Sequence, residues 1–591
     1  MARVILHGFA VSSGIAMGAA VFPDRAPPAA RHDQVDPADA PGEIARLRAA
    51  FAAAEAEFVE AGRRLPPDLA DQAAILTSHL LICQDPKFLA ESERRIREQR
   101  MNAEWALEES LAAFAGIFRR LASPYIRERI QDVRLVADRI LNHLIRPEAA
   151  SRIPCPAGSI FLARDISPAD ARNLIPRRFL ALVTEEGSRT AHSGILARNL
   201  RLPAIVGVRG LSEEVRNGED LIVDALQGKV LLSPGRDETA AYAEKKALFA
   251  AHEKRIAQNA LYPAETEDGQ RIILSANADT ADDIPVLLAA GGEGIGLVRT
   301  EYAFLAGKTL PSEEELYAEY ARMVAAMAPR RVTFRTLDIG ADKLSAGGEI
   351  PHEANPALGL RAIRYCLRRP DLFRRQVKAI LRAGAHGNAA LMLPLISGLP
   401  EFKRAKALLN EARQELEAAN IPFDPHIPVG IMIELPSAVF TADILAGEAD
   451  FFSIGTNDLI QYCLGIDRAN SLVAHMQQPL HPAVVRAVKY VADAGHKAGI
   501  PVSLCGEMGS DPYCLPILLG MAIDEISVAI PAIAGIKHLI RQSNVAECRE
   551  LLYRALYAPT SHVISNIIRP LLHTRFADDI SFFIAQPETY L

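Results

Sequence analysis

The sequence predicts a multidomain α/β protein, in which a small α/β domain carries an inserted all-helical module and is followed by a C-terminal (β/α)8 barrel. Three observations carry that reading. Between residues 36 and 146 apolar residues recur in steps of three and four, the spacing of one helical face. Short strand-like runs flank this stretch on both sides, before residue 24 and again from 155 to 235. From about residue 271, eight apolar strand-like runs alternate with helical ones, the pattern of βα units. A chain of 591 residues, 49% of them apolar, has room for three or so domains with proper cores.

Taken in order, the segment to Phe22 reads as a strand, a Ser12-Ser13-Gly14 turn and a second strand, too small to stand alone. In the helical stretch Ile44, Leu47, Phe51, Ala54, Phe58, Ala61 and Leu65 form an apolar seam that Pro66-Pro67 ends, and Asp85-Pro86 ends the next helix. Ser123-Pro124 reads as a cap followed by proline at the first helical position. Ile126, Ile130, Val133, Ile140 and Leu144 then form the buried stripe, and Pro147 closes it. Strands are predicted at 159–163, 179–184, 203–208, 220–224 and 229–233. The simplest account joins residues 1–24 and 147–235 into one α/β domain, with 25–146 as the inserted helical module. Residues 236–261 read as a charged, Ala-rich linker helix, and 262–591 as the barrel. Its strands are predicted at 272–276, 294–298, 332–337, 390–395, 429–433, 451–454, 501–504 and 525–528, with helices such as 313–327, 402–417 and 483–498 between them.

Composition narrows the function. A formal net charge of −7 gives no global attraction to nucleic acid or anionic lipid. No apolar run is long enough to span a membrane, and the N-terminus lacks the apolar stretch of a secretory signal. Seven cysteines, odd in number and without Cys-x-x-Cys spacing, argue against a disulfide framework or zinc site and point to a reducing cytoplasm.

Two regions carry chemistry. His192 lies in Gly187-Ser-Arg-Thr-Ala-His-Ser-Gly-Ile-Leu-Ala-Arg198, a Gly/Ser/Thr-rich turn before an Ala/Leu-rich helical run. A helix start there would offer unpaired N–H groups and a positive dipole end to an anion, so the imidazole is placed to accept a phosphoryl group, with Arg189 and Thr190 nearby. The second region is the set of predicted barrel strand ends. Arg299, Arg335 and Arg468 suit a small, multiply anionic ligand, with Lys343 shortly after the third strand. Glu434 and Asp458, beside Asn457, suit a hard divalent cation such as Mg²⁺. Cys505 suits proton donation. An arginine alone is ordinarily a surface charge, Asp458 alone a helix cap and Cys505 alone a core residue; convergence on one barrel mouth gives them a joint meaning.

With these residues in view, the chain resembles enzyme I of the bacterial phosphoenolpyruvate-dependent sugar phosphotransferase system, nearly end to end. Two signatures carry the likeness: the stretch around His192, and Asp450-Phe-Phe-Ser-Ile-Gly-Thr-Asn-Asp-Leu-Ile-Gln-Tyr462. The resemblance implies a swivelling phosphohistidine domain whose His192 takes the phosphoryl group of phosphoenolpyruvate through Nε2 and passes it to a histidine of the small carrier HPr. It implies that Arg299, Arg335, Asn457, Asp458 and Arg468 bind phosphoenolpyruvate, that Glu434 and Asp458 bind Mg²⁺, and that Cys505 protonates the enolate to give pyruvate. It also implies a cytoplasmic homodimer formed through the barrels and carrier docking on the helical module, with hinges near 147 and 235–261. Ala191 and Gly194 depart from the hydroxyl-bearing residues common in the family. The stretch His79-Leu-Leu-Ile-Cys-Gln-Asp-Pro-Lys87 carries fewer acids than the family's docking helix, which leaves the nitrogen-branch carrier as the alternative. That branch normally has a further N-terminal sensory domain, and the chain begins directly with the enzyme I strand, which favours the sugar branch. Among rivals, the phosphoenolpyruvate synthases and pyruvate phosphate dikinases need a nucleotide-binding domain for which no residues remain. A purely phosphoenolpyruvate-sensing regulator would have lost parts of the site.

Overall fold

The computed structural model describes residues 4–22, 31–64, 79–120, 124–145, 158–164, 179–186, 202–305, 310–340, 353, 355–468, 470, 473–576 and 579. Its contacts divide the chain into two compact units, 1–250 and 251–591. No helix among the described residues is long and apolar enough to cross a membrane.

In the first unit, eight strands form one sheet: β1 (Ile5–His7), β2 (Phe9–Ser12), β3 (Ile15–Val21), β4 (Ile160–Ala163), β5 (Ala181–Thr184), β6 (Ala204–Val206), β7 (Asp220–Asp224) and β8 (Lys229–Leu232). Their order is β1-β8-β7-β3-β4-β5-β6-β2, so strands from both sides of the helical stretch share the sheet. The N-terminal segment differs from expectation in having three strands, because Gly8 splits the first. β1 pairs with β8 and β2 with β6, the two ends of the sheet. Only one residue separates β1 from β2, so the two ends are drawn together and the sheet curls. Ile160, Leu162, Ala181, Val183, Ile205, Leu221 and Val223 fill its core. The longer apolar runs trim back to the residues that hydrogen-bond, as with 203–208 against Ala204–Val206.

The helices of this unit are α1 (Ala40–Arg64), α2 (Pro86–Gln99), α3 (Ala103–Arg120) and α4 (Pro124–Ile145). The predicted seam of α1 is buried at Ile44, Leu47, Phe51, Ala54 and Phe58. It meets Phe88 and Ile96 of α2, Leu107 of α3 and Ile140 and Leu144 of α4. One boundary reads differently from expectation: Asp85-Pro86 opens a helix as well as ending one. Asp85 caps α2 by accepting from Lys87 N at 2.9 Å, and Pro86, which has no N–H to lose, takes the first turn. Helix α5 (Arg236–Asn259) covers most of the predicted linker, and the division between the units falls at 250/251 within it.

The second unit is a closed barrel of eight parallel strands: β9 (Ile273–Ala278), β10 (Ile295–Arg299), β11 (Val332–Arg335), β12 (Ala389–Leu393), β13 (Val429–Ile433), β14 (Phe452–Ile454), β15 (Val502–Leu504) and β16 (Glu525–Ala529). Closure is made by β16 on β9, with Glu525 opposite Ile273 and Val528 opposite Ala276. Strands β12 and β13 are buried at every position, as expected for strands lying between side chains inside the barrel and helices outside it. Helix Glu313–Met327 shows how the sequence sets such a boundary. Ser312 accepts from Glu315 N at 3.2 Å while Glu315 accepts from Ser312 N at 2.8 Å, a reciprocal cap that satisfies two helix-end donors.

Candidate active site at the barrel mouth

Parallel strands in a barrel all end on one rim, and the chemistry-bearing residues of this chain follow those ends. Asp338, Glu434 and Asp458 come from the ends of β11, β13 and β14, and each offers a carboxylate oxygen within 4.8 Å of the other two. Glu434 is only 2% exposed. Burial, and then the charges of Asp338 and Asp458, push its carboxyl well above the usual range, with Arg335 opposing. Burial also pushes Asp338 upward, but Arg335 and Arg361 outweigh it and hold that carboxyl below its ordinary value.

Guanidiniums ring the acids. Arg335, itself buried, places Nη2 2.9 Å from Glu301 and Nη1 3.0 Å from Asp338. Burial disfavours its charge, yet Glu301 and Asp338 more than restore it. Arg361 bridges two of the acids, 2.8 Å from Asp338 and 3.2 Å from Asp458. Arg468 lies 3.2 Å from Asp458 on the other side. The rigid fork of each guanidinium leaves N–H groups beyond those its carboxylate uses. Arg335 Nε is buried with no hydrogen-bond partner among the described residues. A buried donor of that kind is costly unless an acceptor arrives.

Two glycines let the acids come together. Glu434 accepts from Leu395 N at 2.6 Å, and a Cβ on Gly455 would sit 2.9 Å from its Oε2. On the far side of the same loop, a Cβ on Gly506 would fall 1.8 Å from Thr456 Oγ1. Helix Thr456–Leu464, which carries Asn457 and Asp458, therefore reaches its place only because the loop after β15 has no side chain there. Asn457 fastens the two loops, accepting from Glu507 N at 2.9 Å.

Cys505 closes β15 and is buried with Leu297, Met392, Met432 and Phe451. Burial pushes its thiol up to about 11, against the pull of Ser453 and Arg335, so it stays protonated at neutral pH. Arg299 ends β10 at the same rim but stands apart from the buried cluster. It is 53% exposed and forked onto Asp279, with contacts of 2.7 and 3.0 Å.

Of the residues singled out from sequence, Arg335, Glu434, Asp458 and Arg468 therefore meet in one cluster. Asn457, Cys505 and Arg299 border it, while His192 and Lys343 lie outside the described residues. Sequence reasoning missed three partners. Asp338 was within reach, three residues beyond Arg335 at a strand end. Glu301, at the start of a helix, accepts from Arg335 and from Asp338 N at 3.0 Å, a role its position does not advertise. Arg361 follows no strand; an isolated antiparallel bridge pairs it with Gly340, beyond the end of β11.

An acid cluster of oxygen donors suits Mg²⁺, which takes carboxylates plus ligand oxygens, better than a softer metal. Asp458 Oδ1 supports the fit: it is buried and has no hydrogen bond among the described residues, although Arg468 lies nearby. The arrangement can hold a small polyanion against a cation, with a protonated thiol beside it.

Comparison with known proteins agrees with this geometry. Residues 253–545 match the phosphoenolpyruvate-binding domain of the phosphoenolpyruvate-utilising enzymes, residues 155–228 their mobile domain and residues 7–129 their N-terminal domain. The chain is 40% identical over 542 residues to a phosphoenolpyruvate-protein phosphotransferase of Geobacillus stearothermophilus, covering 91% of this chain and 93% of that one. It is 37% identical to the protein of that name from Staphylococcus carnosus, covering 95% and 98%. With the one from Priestia megaterium the figures are 36%, 96% and 99%.

Proposed function

Since the chain belongs to the phosphoenolpyruvate-protein phosphotransferases, enzymes of the phosphotransferase system, we propose that the barrel mouth is its phosphoenolpyruvate site and His192 its phosphoryl acceptor. The observation that carries this reading is the buried Asp338–Glu434–Asp458 cluster ringed by Arg335, Arg361 and Arg468. Arg299, Arg335 and Arg468, with Asn457, hold the phosphate and carboxylate of the substrate. Glu434 and Asp458, joined by Asp338, would hold Mg²⁺, which when bound draws charge from the phosphoryl oxygens and from the enolate oxygen.

The chemistry is a two-part exchange. Nε2 of His192 attacks phosphorus, the N–P bond forms as the P–O bond to the enol oxygen breaks, and pyruvate enolate is left in the barrel. The Cys505 thiol then gives its proton to the enolate carbon, producing pyruvate and a thiolate that bulk water reprotonates. A thiol held up to about 11 supports the role, because it is protonated when the enolate appears. Phosphohistidine afterwards passes its phosphoryl group to a histidine of an HPr-like carrier. The helical module is the surface we assign to that carrier. A homodimer through the barrel is supported by Phe440 and Ile444, large apolar residues left exposed on helices Pro436–Phe440 and Ala442–Ala446. We place the enzyme in the cytoplasm, in keeping with seven cysteines that show neither disulfide nor zinc-site spacing.

Half-reaction measurements test the assignment. Arg299→Ala and Arg335→Ala should abolish phosphorylation of the chain by phosphoenolpyruvate but leave phosphorylation by phosphorylated carrier largely intact. Equal loss of both half-reactions would remove these arginines from the substrate site.

A further inference from the structure

Away from the barrel mouth, three metal-ligating side chains from distant parts of the sequence meet in a fully buried place. His252 lies on α5, His538 on helix Ile533–Arg541, and Asp579 just beyond helix Ser561–Arg575. They are 4%, 1% and 3% exposed. The function proposed above uses none of them.

Both imidazoles address the same carboxylate oxygen. His252 Nε2 contacts Asp579 Oδ1 directly, and His538 Nε2 lies 3.2 Å from that atom. One ligand atom from each of the three lies within 4.8 Å of the other two. Metal–nitrogen and metal–oxygen bonds of about 2.0–2.1 Å put neighbouring tetrahedral donors about 3.3 Å apart, and the His538–Asp579 spacing of 3.2 Å already fits. The outer shell is also of the right kind. Asn259 Nδ2 lies 2.9 Å from His538 Nδ1; with the amide turned over, so that its Oδ1 accepts from Nδ1–H, it fixes the tautomer that leaves Nε2 free to ligate. Gln542 Nε2 lies 2.8 Å from His538 Nε2 and gives up that contact when the nitrogen takes an ion.

We propose that His252, His538 and Asp579 form a second metal site, which takes a first-row transition ion of the zinc class and joins α5, helix Ile533–Arg541 and Asp579. Two imidazole nitrogens and one carboxylate select such an ion over Mg²⁺, whereas the all-oxygen cluster at the barrel mouth does the reverse. The inference is independent of the proposed function, since no catalytic group takes part.

Co²⁺ added to metal-stripped full-length protein tests it, because tetrahedral Co²⁺ with nitrogen donors absorbs far more strongly in the visible than Co²⁺ in an octahedral oxygen site. The expected result is an intense band saturating at one ion per chain, displaced by Zn²⁺, unchanged by excess Mg²⁺ and accompanied by a rise in Tm. His538→Asn and Asp579→Asn should each abolish the band while phosphoenolpyruvate-dependent phosphorylation persists. A wild-type protein that gives only the weak octahedral spectrum overturns the proposal whatever the variants do. So does an intense band that survives in folded His538→Asn, which would trace it to the cysteines.

Discussion

At the scale of single residues, protonation and charge pairing set what each group can do. Cys505 is the clearest case. With its thiol at about 11, about one molecule in a thousand is a thiolate at pH 8, against about one in four for an ordinary cysteine. Thiol-reactive reagents should therefore modify Cys505 at least a hundredfold more slowly than free cysteine at pH 8, a difference readable by mass spectrometry of the modified peptide. Cys505→Ala should slow pyruvate formation far more than it slows phosphoryl exchange between the chain and its carrier. Equal slowing of both would end the proton-donor assignment. For Asp458, replacement by Asn removes one carboxylate from a cluster whose acids are already crowded. Asp458→Asn should raise the Mg²⁺ concentration needed for half-maximal phosphorylation by on the order of 10–100-fold, as metal titrations of initial rate would reveal. A Mg²⁺ requirement left unmoved would place the ion elsewhere.

At the scale of elements, the strand ends are held by neighbours that do no chemistry. Gln376, on helix Pro370–Gly384, is 1% exposed and satisfied on both sides of its amide. It accepts from Leu337 N at 2.9 Å and donates to Thr300 Oγ1 at 2.9 Å, and Thr300 in turn donates to the carbonyl of Arg335 at 2.9 Å. That chain of bonds fixes the β11 end between Arg335 and Asp338. Gln376→Leu leaves Leu337 N without its partner, so it should cost about 1–3 kcal/mol of stability and raise the KM for phosphoenolpyruvate. Denaturant titration and initial-rate kinetics check the two effects separately. Such links explain what could be read from the sequence and what could not. The strands were legible because each is a short, mainly apolar run, and the range 429–433 is reproduced residue for residue. Glu434 was legible because it directly follows such a run, and Asp458 because it lies within the first turn of the helix that follows one. Arg361 was not, since its place depends on a bridge to Gly340, twenty-one residues earlier, that no local pattern marks. Gln376 was not either, because a polar residue on an apolar helix face carries no mark of the strand end it will support. The split of the first strand at Gly8 escaped notice for a related reason: pairing to opposite sheet ends is a property of topology, not of local pattern.

At the scale of the whole molecule, the proposed acceptor and the proposed substrate site fall in different units. Residue 192 belongs to the unit of residues 1–250, and every residue of the acid–arginine cluster belongs to the unit of residues 251–591. If His192 is the acceptor, as proposed, transfer from phosphoenolpyruvate would require the two units to meet, and transfer onward to a carrier would require the histidine to be released again. The most direct measurement is the intact mass of the chain after incubation with phosphoenolpyruvate and Mg²⁺. Wild type should gain one acid-labile phosphoryl group and His192→Ala none, whereas equal labelling of the two proteins would contradict the account at its centre.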